Sequence, residues 1–139
     1  MKVTALAGTR STIQTLLLAA GLALVALALN ARADSKGGAR DQFEQAVRMR
    51  TSLEGYLPKD RSLNDYKQTV AAYHKVYGAS PQAEEVAPSL IAEGELYREM
   101  GKQFDPKYFQ SAIEAYKFLL QQYPGSRYRA DALFAIAQI

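Results

Sequence analysis

Few residues in this sequence have the side-chain types needed for catalysis or metal binding. It contains one histidine, His74, and no cysteine, so neither a Cys/His cluster nor a Cys–His pair can be assembled. A zinc hydrolase needs at least three protein ligands with an open fourth position. His74 follows Tyr73 within a helical pattern, which favours a solvent-facing position over a metal ligand. We therefore predict no catalytic residue, cofactor or metal within these 139 residues.

Acidic side chains are grouped in two places where general acid–base chemistry has to be weighed. Glu84 and Glu85 stand where a helix should begin, and the helix dipole favours negative charge in a first turn. Glu95 and Glu99 are four residues apart and share one helix face, which favours a solvated role for both. Glu93 occupies a position that packs in the repeat described below. It either pairs with a basic residue of the adjacent helix or marks a small rotation of its own helix.

The first 33 residues have the pattern of a secretory signal peptide. Lys2 and Arg10 precede an unbroken run of Leu, Ala, Gly and Val over Leu16–Leu29, and Ala31–Ala33 has the A-x-A form of a cleavage site. The 14-residue run is shorter than the roughly 20 residues that cross a bilayer core. We expect cleavage after Ala33, export to the periplasm, and contact with the membrane only through this peptide during export. An uncleaved anchor is the alternative.

The charge of the chain belongs to this leader. Three of the 17 basic residues and none of the 14 acidic residues precede Asp34, so the remainder carries 14 of each. A neutral, exported chain gives no reason to expect a nucleic-acid partner. The cluster Arg127-Tyr128-Arg129 is therefore interpreted as capping a turn, with contact to anionic cell-wall polymer or lipid headgroups as the alternative.

The remainder nearly repeats itself at a spacing of 43 residues. When residues 66–94 are laid over residues 109–137, Tyr73 falls on Tyr116, Pro81 on Pro124, and Leu90 on Leu133. A fixed period predicts stacked helical hairpins, each of which buries its apolar face against a neighbour. Such surfaces bind proteins more often than they catalyse reactions.

Helical punctuation divides the chain further. We predict a polar tether over 34–38 and a helical domain over 39–139. Within it a first helix ends at Gly55, and a second opens with an S-x-x-D capping box at Ser62. A third helix begins between Pro81 and Pro88 and stops at Gly101. A fourth is capped by Asp105, with Pro106 at its first position, and a fifth starts near Arg129. The apolar fifth helix indicates that the domain continues beyond Ile139.

The repeat resembles the tetratricopeptide family. Leu90, Gly94 and Tyr97 match the first-helix positions of that motif, and Ala112, Tyr116 and Pro124 match those of the second helix. Glu93 stands where the family usually has leucine. The longer period resembles the envelope branch, which includes the outer-membrane β-barrel assembly lipoprotein and the Tol-Pal periplasmic coordinator. The resemblance implies an all-α, right-handed solenoid of about five helices that binds an envelope protein or peptide.

A second resemblance is to the N-terminal repeat region of bacterial N-acetylmuramoyl-L-alanine amidases. It is carried by the segments Asp105–Phe109 and Tyr123–Tyr128. It implies a non-catalytic arm in front of a zinc-dependent domain that cuts peptidoglycan, with that domain and its zinc beyond residue 139. Whether the whole protein is an enzyme therefore stays open at this point.

The tetratricopeptide resemblance also implies a ligand groove lined by the first helix of each pair. Carried onto this sequence, the groove residues are Ile91, Glu95 and Arg98 of the third helix and Gln138 of the fifth. The implied mechanism is docking of an extended or helical peptide by polar anchors over an apolar floor.

Overall fold

The computed structural model describes residues 38–139, which form α-helices joined by short turns. The helices are α1 (38–54), α2 (Leu63–Ala79), α3 (Val86–Gln103), α4 (Lys107–Gln122) and α5 (Arg129–Ala137). A 3₁₀ turn, Pro58–Asp60, lies between α1 and α2. The prediction of an all-α chain with about five helices is confirmed for the described part, which contains no strand. The predicted signal peptide lies outside it.

The local start signals work largely as the sequence predicts. Ser62 and Asp65 form a complete capping box, in which the Ser62 side chain accepts from the Asp65 amide at 3.2 Å. At the start of α4 the Asp105 side chain accepts from the amide of Lys107 at 2.9 Å. Asp105 thus caps the turn that leads into α4. The predicted register is one residue off, because Pro106 is the N-cap residue and the first helical position is Lys107. Gly38, which was assigned to the tether, is already helical and belongs to α1.

The prediction that α3 stops at Gly101 is wrong, because the helix continues to Gln103. Gly101 is buried inside the helix, and a Cβ built there would lie 2.8 Å from the ring of Phe109 on α4. A side chain at this position would collide with that ring, so the glycine permits close helix packing. The glycine that the sequence pattern assigned to a helix end is required instead by the contact with Phe109.

The 43-residue repeat is present in the coordinates as well as in the sequence. The end of α2 at Ala79 corresponds to the end of α4 at Gln122, and the start of α3 at Val86 corresponds to the start of α5 at Arg129. Equivalent positions are buried alike: Tyr73 and Tyr116 (2% and 1% exposed), Val76 and Leu119 (both 0%), Ala72 and Ala115, Ala92 and Ala135. The chain therefore has a helical, repeat-like fold.

Helix α3 is the centre of the described structure and packs against both α2 and α4. Two apolar clusters result. One joins α3 to α4 and α5 through Leu90, Tyr116 and Ala132, and it also includes Ala39 of α1 and Val76 of α2. The other joins α1, α2 and α3 through Ala46, Tyr66 and Leu96.

The repeat equivalence fails on the outer side of α5. Leu90 of α3 is buried, whereas its equivalent Leu133 is 48% exposed, and neighbouring Phe134 is 67% exposed. An apolar surface is therefore open to solvent on this side of α5.

Candidate functional site

Helix α3 presents two different polar surfaces. Successive residues of an α-helix are rotated by about 100°, so Ile91, Glu95 and Arg98 lie on one side and Glu93 lies about 140° to 200° away from them. The first side faces α1 and α5, as the contacts below show, and the second faces α2 and α4.

On the first side, Arg50 of α1 links two carboxylates. Its guanidinium donates to Glu54 and to Glu95 of α3, each at 2.7 Å. Burial alone would lower the pKa of Arg50, but these hydrogen bonds outweigh it and raise that pKa above its ordinary value. Glu95 was predicted to lie on a solvated face with Glu99, and it is instead half-buried in an ion pair that crosses between helices.

Arg98 connects α3 to the end of α5. One of its terminal nitrogens donates to the side-chain oxygen of Gln138 at 3.1 Å. Below it lies the buried hydroxyl of Tyr116, which has no hydrogen-bond partner among the described residues. Burial raises the pKa of Tyr116, and the positive charge of the nearby Arg98 opposes that rise. The Arg98 guanidinium and the Tyr116 hydroxyl do not form a hydrogen bond.

The predicted groove residues are thus partly brought together. Arg98 and Gln138 are in contact, Glu95 belongs to the same side of α3, and Ile91 packs half-buried against the core between α3, α4 and α5. We name the surface formed by Arg50, Glu95, Arg98 and Gln138 the polar face. Arg50 was not singled out from the sequence. The spacing of Arg50 and Glu54, four residues apart, was the only available signal.

A separate network ties the start of α2 to the end of α3. Glu99 accepts from the Tyr66 hydroxyl at 2.8 Å and from Arg61 at 3.3 Å, while Gln103 donates to the same hydroxyl at 3.0 Å. Glu99 is therefore paired and partly buried, contrary to the predicted solvated role. These groups satisfy one another, so the network is a structural one.

On the opposite side of α3, Glu93 is buried with 5% of its surface exposed. The nearest ionisable nitrogen is Nδ1 of His74, 3.7 Å from Oε1, which is too long for a hydrogen bond. Burial raises the pKa of Glu93 to about 8, so the carboxyl group is mostly protonated at neutral pH. His74 itself has a side chain that is 74% exposed, as the sequence predicted.

Glutamates 84 and 85 precede α3, and Glu85 accepts from the amide and hydroxyl of Ser89 only through its backbone oxygen. Arg127 lies over the Tyr128 ring, 4.9 Å from its centre, at the turn into α5. Neither cluster joins the polar face. Both are accounted for by the helix starts at which they stand.

Within residues 38–139 there is no group of three or more His, Asp or Glu side chains that could hold a metal ion. No helix in the same range is long and apolar enough to cross a membrane. Helix α3 thus carries paired polar groups on one side and a solvent-shielded acid on the other.

Comparison with protein-family models, with curated proteins and with solved structures finds no match to this chain. The two resemblances given above therefore remain expectations. The class that the coordinates define is a helical, repeat-like protein.

Proposed function

We propose that the protein is a scaffolding module that binds a protein or peptide partner on the polar face, within a right-handed tetratricopeptide-like solenoid. The observation that carries this proposal is a pair of contacts on one side of α3, in which Glu95 meets Arg50 of α1 and Arg98 meets Gln138 at the end of α5. Three helices contribute charged or amide groups to one surface, and those groups hold each other in defined positions. A preorganised surface of this kind lowers the entropic cost of binding a segment.

Arg98 is the group on this surface with most to gain from a partner. Among the described residues its side-chain hydrogen bond goes to a neutral amide, Gln138. A carboxylate from a partner would replace that contact with a charge-assisted hydrogen bond, which is roughly twice as strong. We therefore infer that the partner presents an acidic side chain to Arg98.

Phe134 of α5 supplies an apolar contact beside this charge. It lies one helical turn before Gln138 and so on the same side of α5, and it is 67% exposed. Aromatic anchors surrounded by polar groups are typical of the residues that carry most of the energy of an interface. The acid and the anchor together predict an acidic, partly apolar segment as the bound element.

The proposal can be tested by photo-crosslinking followed by measurement of affinity. A benzophenone amino acid at Phe134 should capture one discrete protein from an envelope extract, and the same group at Tyr56, an equally exposed aromatic (61%), should not. The captured protein is then purified and titrated by calorimetry against the native protein. Failure to capture a discrete partner at Phe134 would contradict the proposal.

The titration includes two charge reversals of the same size. Arg98→Glu should weaken binding at least about tenfold, which corresponds to about 1.4 kcal/mol. Lys117→Glu, an exposed position on α4, should change the dissociation constant less than about twofold, as is usual for charges outside an interface. Equal affinities of the Arg98→Glu and native proteins would exclude the polar face as the binding surface.

We also propose that the protein works in a bacterial cell envelope after export. The support is the sequence of the leader, with Leu16–Leu29 followed by the A-x-A site at Ala31–Ala33. Sequencing the N-terminus of the protein isolated from its source cells should give Asp34 as the first residue. An intact Met1 in a membrane-bound protein would favour the uncleaved anchor.

A further inference from the structure

A cavity of about 430 Å³ lies between α2 and α4, with α3 as its floor. It lies on the side of α3 opposite the polar face. Its lining includes His74 and Tyr77 of α2, Glu93 and Tyr97 of α3, and Glu114 and Phe118 of α4. A second cavity of about 480 Å³ shares His74, Tyr97 and Ser111 with the first, so the space continues along the same groove.

Glu93 is the unusual member of this group. Its side chain is 7% exposed, and no side chain among the described residues donates a hydrogen bond to it. A buried carboxyl group without a partner lowers stability, since burial removes its hydration without replacement. The group nevertheless lines the cavity, so a ligand in the cavity can reach it. A ligand that pairs with Glu93 would restore the lost interaction.

The walls of the cavity are aromatic and held in fixed positions. The rings of Tyr77 and Phe118 pack edge to face with centroids 5.4 Å apart, and those of Tyr97 and Tyr108 stack at 6.3 Å. Aromatic rings attract cations through their quadrupoles and also pack against apolar groups. Such walls therefore accept both the charged and the apolar part of an organic cation.

The charged groups around Glu93 favour a cation over an anion. The ionisable groups that line this cavity are His74 and Tyr77 on α2, Tyr97 on α3 and Glu114 on α4. Two carboxyl groups thus face one imidazole in this cavity, and Lys67 of α2 and Tyr108 of α4 line its continuation. Burial raises the pKa of Tyr97, and the nearby acidic groups Glu93, Tyr108 and Glu114 raise it further, so both carboxyl groups lie close enough to Tyr97 to act on its charge.

We propose that this cavity binds a small organic cation, an ammonium group on an apolar stem, with the ammonium paired to Glu93 and the stem packed between Tyr97 and Phe118. The site goes beyond the proposed scaffolding role and does not depend on it. Binding selects the ionised form of Glu93, so binding at neutral pH, where the group is mostly protonated, releases a proton from it.

The test uses choline and its neutral isostere 3,3-dimethylbutan-1-ol as probes, titrated into the ¹⁵N-labelled protein and followed by NMR. Choline is permanently charged, so changes in its affinity with pH report on the protein alone. With a pKa of about 8 for Glu93, choline affinity should rise about tenfold between pH 7 and pH 9. The shifted amide signals should be those of α2, α3 and α4 around the cavity.

Two variants with the same change of charge complete the design. Glu93→Gln should weaken choline binding at least about tenfold at pH 9 and abolish its pH dependence. Glu44→Gln, at an exposed position on α1, should leave both unchanged. The isosteric substitution keeps the volume of the side chain, so the variant is expected to fold.

A further pair of probes distinguishes a cation on a protein side chain from a free amine. A lysine-containing tripeptide with blocked ends that binds at least about tenfold more tightly than n-butylamine would identify a protein side chain as the ligand. Equal affinities would identify a free amine. Absence of choline binding, equal binding of the neutral isostere, or unchanged binding by Glu93→Gln at pH 9 would each overturn the proposal.

Discussion

Substitution of Gly94 by alanine tests a close approach between α3 and α4. A Cβ built on Gly94 would lie 2.3 Å from Cε1 and 2.4 Å from Cζ of Tyr116, whereas ordinary contact begins at 3.4 Å. The Tyr116 ring would have to move by about 1 Å to make room. It is 1% exposed and surrounded by core residues, so no open space is available to it.

The magnitude follows from two opposing terms. Overpacking of a core costs about 1 to 3 kcal/mol, and an overlap this large belongs at the upper end. Alanine also favours the helix over glycine by about 1 kcal/mol, which offsets part of that cost. We expect Gly94→Ala to lower the free energy of unfolding by about 2 kcal/mol.

Gly78→Ala is the matched control. Gly78 also lies in a helix, α2, and a Cβ there meets nothing within 4 Å. The same substitution should therefore stabilise the protein by about 0.5 kcal/mol. Because both variants change the unfolded chain alike, the difference between them isolates the clash with Tyr116.

Urea unfolding followed by circular dichroism at 222 nm measures both variants. With a slope of about 1.5 kcal/mol per molar, a difference of about 2.5 kcal/mol separates the two midpoints by about 1.7 M. Combining Gly94→Ala with Tyr116→Leu should recover part of the loss, with a coupling energy of about 1 to 2 kcal/mol. A Gly94→Ala midpoint equal to or above that of Gly78→Ala would refute the reasoning.

Three further outcomes follow from named contacts. Tyr66→Phe removes a hydroxyl that donates to Glu99 at 2.8 Å, and it should lower the free energy of unfolding by about 1 to 2 kcal/mol. Tyr116→Phe removes a buried hydroxyl without a hydrogen bond, and it should leave the free energy of unfolding unchanged or raise it by up to about 1 kcal/mol. The reverse order in urea unfolding would contradict both assignments. The folded pKa of Glu93 is raised from 4.5 to about 8, so the folded state keeps a proton that the unfolded state loses between those values. The free energy of unfolding should therefore fall as the pH rises from about 4.5 to about 8, by at most about 1.4 kcal/mol per pH unit. If Glu93→Gln and the native protein have parallel profiles of unfolding free energy against pH, Glu93 is not the cause of that fall. Ser62→Ala breaks the capping box of α2 and should lower the unfolding free energy by about 1 kcal/mol, and an unchanged urea midpoint would contradict that.

Much of the fold could be predicted because its signals are local or periodic. The capping box at Ser62 depends on residues three apart, and the structure contains it. The 43-residue period fixes which positions of α4 repeat those of α2, and Tyr73 and Tyr116 are both buried as a result. These patterns depend only on helix geometry and on the alternation of apolar and polar residues.

The candidate sites could be predicted only in part. Placing Glu95, Arg98 and Gln138 near one another needed a resemblance to known repeats, and the occupancy of the polar face remains a prediction. The ion pair of Arg50 with Glu95 joins residues 45 positions apart, and no local pattern indicates it. The state of Glu93 likewise depends on how deeply α2 and α4 cover α3.

The sequence by itself determined that the described chain is helical, that a capping box at Ser62 opens α2, and that equivalent positions of α2 and α4 such as Tyr73 and Tyr116 are buried alike. These properties arise from interactions between residues a few positions apart, and the chain order specifies those directly. Only the tertiary structure decided that Gly101 and Gly94 admit the rings of α4, that Arg50 meets Glu95, and that the Glu93 side chain lines a cavity without a hydrogen bond from the described residues. Those outcomes depend on the separation and rotation of packed helices, where a shift of 1 Å changes a contact into a clash.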